Sequence, residues 1–248
     1  MKHEIARLRK DIVRRTVRVA SKQYLTPGML RIGFQSEELR SFDSPSPDDH
    51  IKIILPANDD GESIMRDFTP RAYDNNAGTL VLDFALHPKG PAVQWARNVE
   101  IGTSLEIAGP RGSAVVPDDF DWYLLIGDAT ALPSIGRRLE SLRSGVPVRV
   151  LLLVVDEAEQ LQLSSPSACQ VEWLRSTRIP QDDASALQSA VENSHLPEGE
   201  GFIWIAAETA IARQLYNYVI GTLHHPKQWV KAAGYWSHGQ AEGGERIE

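Results

Sequence analysis

WYLLIGDATALPSIGRRLESLRSGVPVRVLLLVVDE, residues 122–157, decides the fold of this chain. The apolar stretch WYLLIGD reads as a strand running into a loop of small residues. Pro133 suits the first helical turn that follows, where its missing N–H costs nothing. Ile135, Leu139 and Leu142 recur at i, i+4 and i+7, the spacing of one helix face, and Gly145 is expected to stop the helix. PVRVLLLVVDE is continuously apolar rather than alternating, as a parallel strand buried on both faces should be. CQVEWL, a helix near Asp183–Asn193, the strand GFIWIAA and a helix over Thr209–Leu223 continue the series. Strand alternating with helix predicts a parallel α/β sheet over 118–248. The last ten residues, GQAEGGERIE, read as a frayed acidic tail.

Upstream, the pattern changes to short strands. Thr16–Ser21, Met29–Phe34, His50–Leu55, Asp67–Tyr73, Thr79–His87 and Ser104–Ala108 are separated by turn residues, and they predict an antiparallel barrel or sandwich over 1–117, of which a six-stranded antiparallel β-barrel is the expected form. TLVLDFALH puts Leu80, Leu82, Phe84 and Leu86 on one face, with Asp83 and His87 on the other. In HIKIILP, Ile51, Ile53 and Leu55 share a face and Lys52 points away. The opening MKHEIARLRKDIVRRTVRV carries seven Lys/Arg and lacks the apolar core of a secretory leader. Ile5, Leu8 and Ile12 predict a thin apolar stripe on a solvated helix or arm there, and a basic face suited to an anionic surface is the alternative.

Two domains are the natural partition of 248 residues, and 42% hydrophobic with 24% charged residues is an ordinary globular composition. Cys169 is the only cysteine, so an internal disulfide and a built-in iron–sulfur cluster are excluded. A net charge of −7 argues against nucleic acid as the main partner. The longest apolar run, Val150–Val155 with its neighbours, falls far short of the roughly 20 residues of a membrane-spanning helix. A soluble, cytoplasmic protein is expected. No Ser/His/Asp arrangement, HExxH or metal-ligand spacing is present, and no metal site is expected.

Three segments carry chemistry. RDFTPR, 66–71, sets an Arg, an aromatic and a hydroxyl close together, which suits a flat phosphorylated ligand, although by spacing alone an ordinary edge strand is the better reading. DFALHPKGPAVQWA, 83–96, ends a strand at His87 and opens a helix whose free amides favour phosphate; a plain strand–turn–helix fits it too. LLIGDATALPSIG, 124–136, offers a turn and helix start of the dinucleotide type without being G-x-G-x-x-G, and a plain βα turn reads the same way.

Taken in order, DDHIKIILP, RDFTPR, DFALH with GPAVQWA, GTSLEIAGPRGS, IGDATALPSIGRRLE, IWIAAE and AAGYWSHG resemble the siderophore-interacting protein family over about His50 to Gly239. The resemblance implies a two-domain, ferredoxin–NADP reductase-like architecture with FAD on the barrel and NADPH, or NADH, on the α/β domain. It implies hydride transfer from nicotinamide to flavin and one-electron reduction of a bound ferric siderophore. Ferredoxin as donor, another acceptor, a siderophore carrier without turnover and a regulator docking through the basic N-terminus are the competing readings.

By the same resemblance Arg66, Asp67, Phe68 and Thr69 fall on the flavin motif Arg-x-Tyr-Thr, with Phe68 in place of Tyr and one hydroxyl fewer. Asp83, Phe84 and His87 fall on the flavin-contacting strand, and Ala92, Val93, Trp95 and Ala96 on the phosphate- and adenine-side helix. Asp128, Thr130 and Ala131 fall on Gly-Asp-Glu-Thr-Ala-Leu-Pro, where Ala129 replaces the acid. Trp204, Ala206 and Glu208 match a strand end. Tyr235 and Trp236 match a terminal Gly-Tyr-Trp that covers the flavin in related reductases; plain C-terminal packing is the alternative. Lys52 and Arg111 would form a cationic rim for an anionic siderophore. NADPH needs a cation for its 2′-phosphate; VVDEAEQ is acidic, so Arg175 is the expected source.

Overall fold

The computed structural model describes residues 3–56, 63–87, 90–240 and 245–247. The chain divides into two units: Glu4–Val116 with Gly136–Arg138, and Met1–His3 with Pro117–Ile135 and Leu139–Glu248.

The first unit is built on alternation. Its strands are β1 (Ala6–Arg9), β2 (Arg14–Thr26), β3 (Met29–Gln35), β4 (Ile51–Leu55), β5 (Ile64–Phe68), β6 (Pro70–Asp74), β7 (Thr79–Ala85), β8 (Ser104–Ala108) and β9 (Gly112–Val115), with helix α1 (Pro91–Asn98) between β7 and β8. A curled antiparallel sheet runs in the order β5-β4-β8-β2-β3-β7-β6. Every second residue of β4 and β7 enters the core, so Ile51, Ile53, Leu80, Leu82 and Phe84 are buried beside Ala92 and Ala96 of α1. This sheet has seven strands, not the expected six. The single strand predicted over Asp67–Tyr73 breaks at the buried Thr69, and its halves pair with β4 and β7 at opposite ends of the sheet order. Pro70 lacks the N–H that would continue a ladder, which favours the break there.

The N-terminal residues depart from the helical reading. Ala6–Arg9 form a fully exposed strand paired antiparallel with β9, Leu8 opposite Ser113. Gly112 permits the approach: a Cβ there would lie 2.7 Å from the Leu8 carbonyl oxygen.

The rest of the chain forms β10 (Trp122–Asp128), α2 (Leu132–Ser141), β11 (Pro147–Val154), β12 (Ala168–Arg175), α3 (Pro180–Glu192), β13 (Gly201–Glu208), α4 (Thr209–Gly221), β14 (Val230–Trp236) and β15 (Glu245–Arg246). The sheet order is β12-β11-β10-β13-β14-β15, parallel through β14. All seven residues of β10 and all eight of β13 are buried, as central parallel strands require. Trp122, Leu124 and Ile126 pack with α3 and α4 on one face. Among the described residues no helix is long and apolar enough to cross a membrane.

Two further differences stand out. The predicted tail is not wholly frayed, since Glu245–Arg246 pair antiparallel with Gly234 and Ala233; residues 241–244 and 248 lie outside the described residues. Helix α2 ends at Ser141, four residues before Gly145, which instead turns the chain toward β11 with φ 78°. His3 is anchored in the second unit, its ring stacked on Phe120 at 3.9 Å. Its Nδ1 lies 2.7 Å from Asp119 Oδ1 and its Nε2 3.0 Å from Glu200 Oε2. Only an imidazolium donates at both nitrogens.

Candidate functional site

In the first unit, strand register sorts the predicted residues onto two faces. Residues directly opposite in an antiparallel pair share a side, and Arg66 and Phe68 oppose the inward Ile53 and Ile51. Phe68 is half-buried against Phe84 at 4.4 Å between ring centroids, and Trp95 of α1 lies 5.9 Å from Phe84. Arg66 turns its guanidinium onto the Met65 carbonyl at 2.7 Å. Asp67, expected beside them, is on the other face. It opposes Lys52, whose ammonium donates to both its oxygens at 2.8 and 2.9 Å. Strand alternation alone forbids Arg66 and Asp67 from sharing a ligand face.

Asp83 is buried and gripped by Arg31, with Nε and Nη2 each 2.7 Å from one carboxylate oxygen. Arg31 carried no signal in the sequence. His87 is exposed at the end of β7, and a Cβ on Gly90 would lie 2.6 Å from its ring. Gly90 also has φ 145°, so the turn into α1 requires glycine there. No side chain caps the start of α1, and Pro91 occupies its first turn. Among the described residues no side chain accepts from the amides of Ala92 or Val93, while the Ala92, Val93 and Ala96 side chains are buried. Trp95 helps line a groove of about 500 Å³ with Leu55, Pro56, Ile64, Pro91 and Gln94. An uncapped helix start, a guanidinium and aromatic faces within one unit fit a flavin nucleotide.

Arg111 is exposed in the turn between β8 and β9. That turn packs beside the His50–Ile51 backbone, where a Cβ on Gly109 would lie 3.7 Å from the His50 carbonyl and 3.3 Å from the Arg111 amide.

In the second unit, β10 ends in Gly127 and Asp128. A Cβ on Gly127 would lie 2.7 Å from Ala131 Cβ and 2.9 Å from the Ala206 carbonyl, so the turn closes over glycine alone. Asp128 Oδ1 accepts from the Thr130 amide at 2.8 Å and from Thr130 Oγ1 at 2.6 Å. Its Oδ2 accepts from the Glu208 amide at 2.9 Å and the Trp236 indole at 2.8 Å. Burial pushes this carboxyl above the usual carboxylate range, and the bonds from Thr130, Trp236 and Glu208 oppose the shift. Ala131 is fully buried, and helix α2 starts on it without a side-chain cap. The Asp128 and Thr130 side chains are thus bonded to each other, and the Thr130 and Ala131 amides are bonded back to Asp128 within the turn.

Glu208 caps α4, its Oε2 accepting from the amides of Ala210 and Ile211. Trp236 is 39% exposed, and Tyr235 donates to Ser134 Oγ at 3.3 Å. β14 was not foreseen as a strand because AAG is a poor strand former. Its Gly234 is needed where Thr209 Oγ1 would lie 2.2 Å from a Cβ. Trp204 is buried in mid-β13 with an unpartnered indole nitrogen.

Two family models match along the chain. A family model described as siderophore-interacting FAD-binding domain matches residues 18–63 and 57–114, and one described as siderophore-interacting protein matches 120–239. The NADPH-dependent ferric-chelate reductase of Escherichia coli (strain K12) is 32% identical over 250 residues, covering 93% of this chain and 95% of that protein. A siderophore utilization protein from T. fusca superposes with TM-score 0.88 at 26% identity, over 99% of both chains. The ferredoxin reductase of carbazole 1,9a-dioxygenase, at 15% identity and TM-score 0.67, shares the fold over 88% of this chain and 66% of its own.

Proposed function

We propose that this chain reduces ferric siderophores, from one premise: it belongs to the siderophore-interacting protein family. The observation that carries the reading is the pairing, in one chain, of a flavin-type helix start at Ala92–Val93 with a dinucleotide-type turn at Gly127–Ala131. On this reading residues 1–117 hold FAD and residues 118–248 receive NADPH, and the protein works in the cytoplasm, where iron leaves as Fe(II).

Arg66 and the amides of Ala92 and Val93 hold the flavin phosphates. Phe68 and Trp95 cover its aromatic faces, Thr69 and His87 border it, and Asp83 acts through Arg31. Bound flavin supplies the chemistry: it accepts two electrons as hydride and releases them singly. The chain itself binds, orients and excludes water, and no side chain needs to act as nucleophile. Exposed Arg175 at the end of β12 meets the 2′-phosphate, since the end of β11 leads into Asp156 and Glu157. Lys52 and Arg111 attract an anionic chelate, with Lys52 exchanging Asp67 for the ligand.

Steady-state kinetics of the FAD-loaded protein with NADPH test this. A ferric siderophore should be a far better acceptor than free flavin or a cytochrome; equal or reversed preference would reject the assignment.

A further inference from the structure

Trp236 is the last residue of β14, and although partly exposed it is fixed at its nitrogen by Asp128. The backbone around it is pinned separately. Thr209 Oγ1 donates to the Trp236 carbonyl at 3.0 Å, and the His238 amide donates to Glu208 Oε1 at 3.0 Å. Losing the indole bond would therefore release the side chain without freeing the strand.

Asp128 is at the other end of the same arrangement. A carboxylate offers about four acceptor sites. The chain's own donors fill them: Thr130 N, Thr130 Oγ1, Glu208 N and Trp236 Nε1. These donors come from β14, the end of β13 and the turn after β10. A group so occupied is poorly placed to accept from a ligand hydroxyl.

We propose that Asp128 is a positioning residue rather than a ligand of the dinucleotide. Its carboxylate ties the Trp236 indole to the 128–131 turn, so that the aromatic ring and the start of helix α2, which follows that turn, hold one relative arrangement. The proposal rests on the reading above that this turn receives NADPH. In Asp128→Asn the amide can turn its NH₂ to Thr130 and keep its oxygen on Trp236, whereas Asp128→Ala leaves no acceptor and the tie is lost.

The test uses FAD-loaded, ¹⁵N-tryptophan-labelled protein. The Trp236 indole resonance is assigned by its loss in Trp236→Phe, which keeps a ring and removes the N–H. In Asp128→Ala the Trp236 indole proton should exchange with solvent about tenfold faster or more, since it loses a bond to a charged acceptor. The KM for NADPH should rise about tenfold, with kcat and the KM for ferric chelate within about twofold of the parent. Trp236→Phe should raise the NADPH KM as well, and the double variant should be no worse than Asp128→Ala, because both remove the same tie.

Unchanged indole exchange in Asp128→Ala overturns the tie. Faster exchange with an unchanged NADPH KM overturns the positioning role. Should Asp128→Ala fail to fold, Trp236→Phe alone decides, and an unchanged NADPH KM there overturns the proposal. A parent protein that oxidises no NADPH would instead count against the proposed function, while the indole exchange still decides the tie.

Discussion

Lys52 and Asp67 face each other across β4 and β5 with side chains 48% and 44% exposed. An exposed pair of this kind contributes about 0–1 kcal/mol, so an anionic ligand can displace the aspartate at little cost. Asp67→Asn should therefore lower the KM for an anionic ferric chelate about two- to fivefold and leave a neutral chelate unaffected. Steady-state kinetics at low and high salt check both. Gly127 makes the opposite kind of point. Gly127→Ala drives a methyl into the Ala131 side chain and the Ala206 carbonyl, and overpacking there should cost about 1–3 kcal/mol in urea unfolding.

Among the elements, the helix starts and the parallel strands were legible because period and punctuation agree. The apolar stretches WYLLIG, VLLLV and GFIWIAA each emerge as the buried part of a parallel strand. Elements held by tertiary approach were not legible. β1 exists because Gly112 admits the Leu8 carbonyl, β14 because Gly234 admits Thr209, and neither leaves a hydrophobic period to read. The same limit applied to the site, where motif position could not separate Arg66 from Asp67 by face, nor show that Asp128 is saturated. His3 lies in no motif, yet two carboxylates and Phe120 hold it. His3→Ala should cost about 1.5–3 kcal/mol in denaturant unfolding, the range for hydrogen bonds to charged groups. His225, after α4, supplies a pH test. Burial holds its imidazole below the usual 6.5, with its bond to the Gly201 carbonyl opposing. The unfolded chain then binds the proton more readily than the folded one. That contribution is intact above about pH 6.5 and is lost as pH falls from there toward the lower folded value. His225→Gln, which can still donate to Gly201, should flatten the acid limb of a thermal stability profile across that window.

At the scale of the whole molecule, the account makes one chain a two-cofactor reductase for chelated iron. FAD at about 100 times its Kd should raise unfolding free energy by about 2.7 kcal/mol, and Arg66→Ala should lose most of that gain in a thermal melt. The most direct test is the visible absorption spectrum of the FAD-loaded protein under anaerobic conditions, before and after NADPH and then after a ferric siderophore. The account predicts flavin bands that bleach with NADPH and return when the siderophore is added. Flavin bands that NADPH leaves unchanged, or protein that retains no flavin, would contradict it.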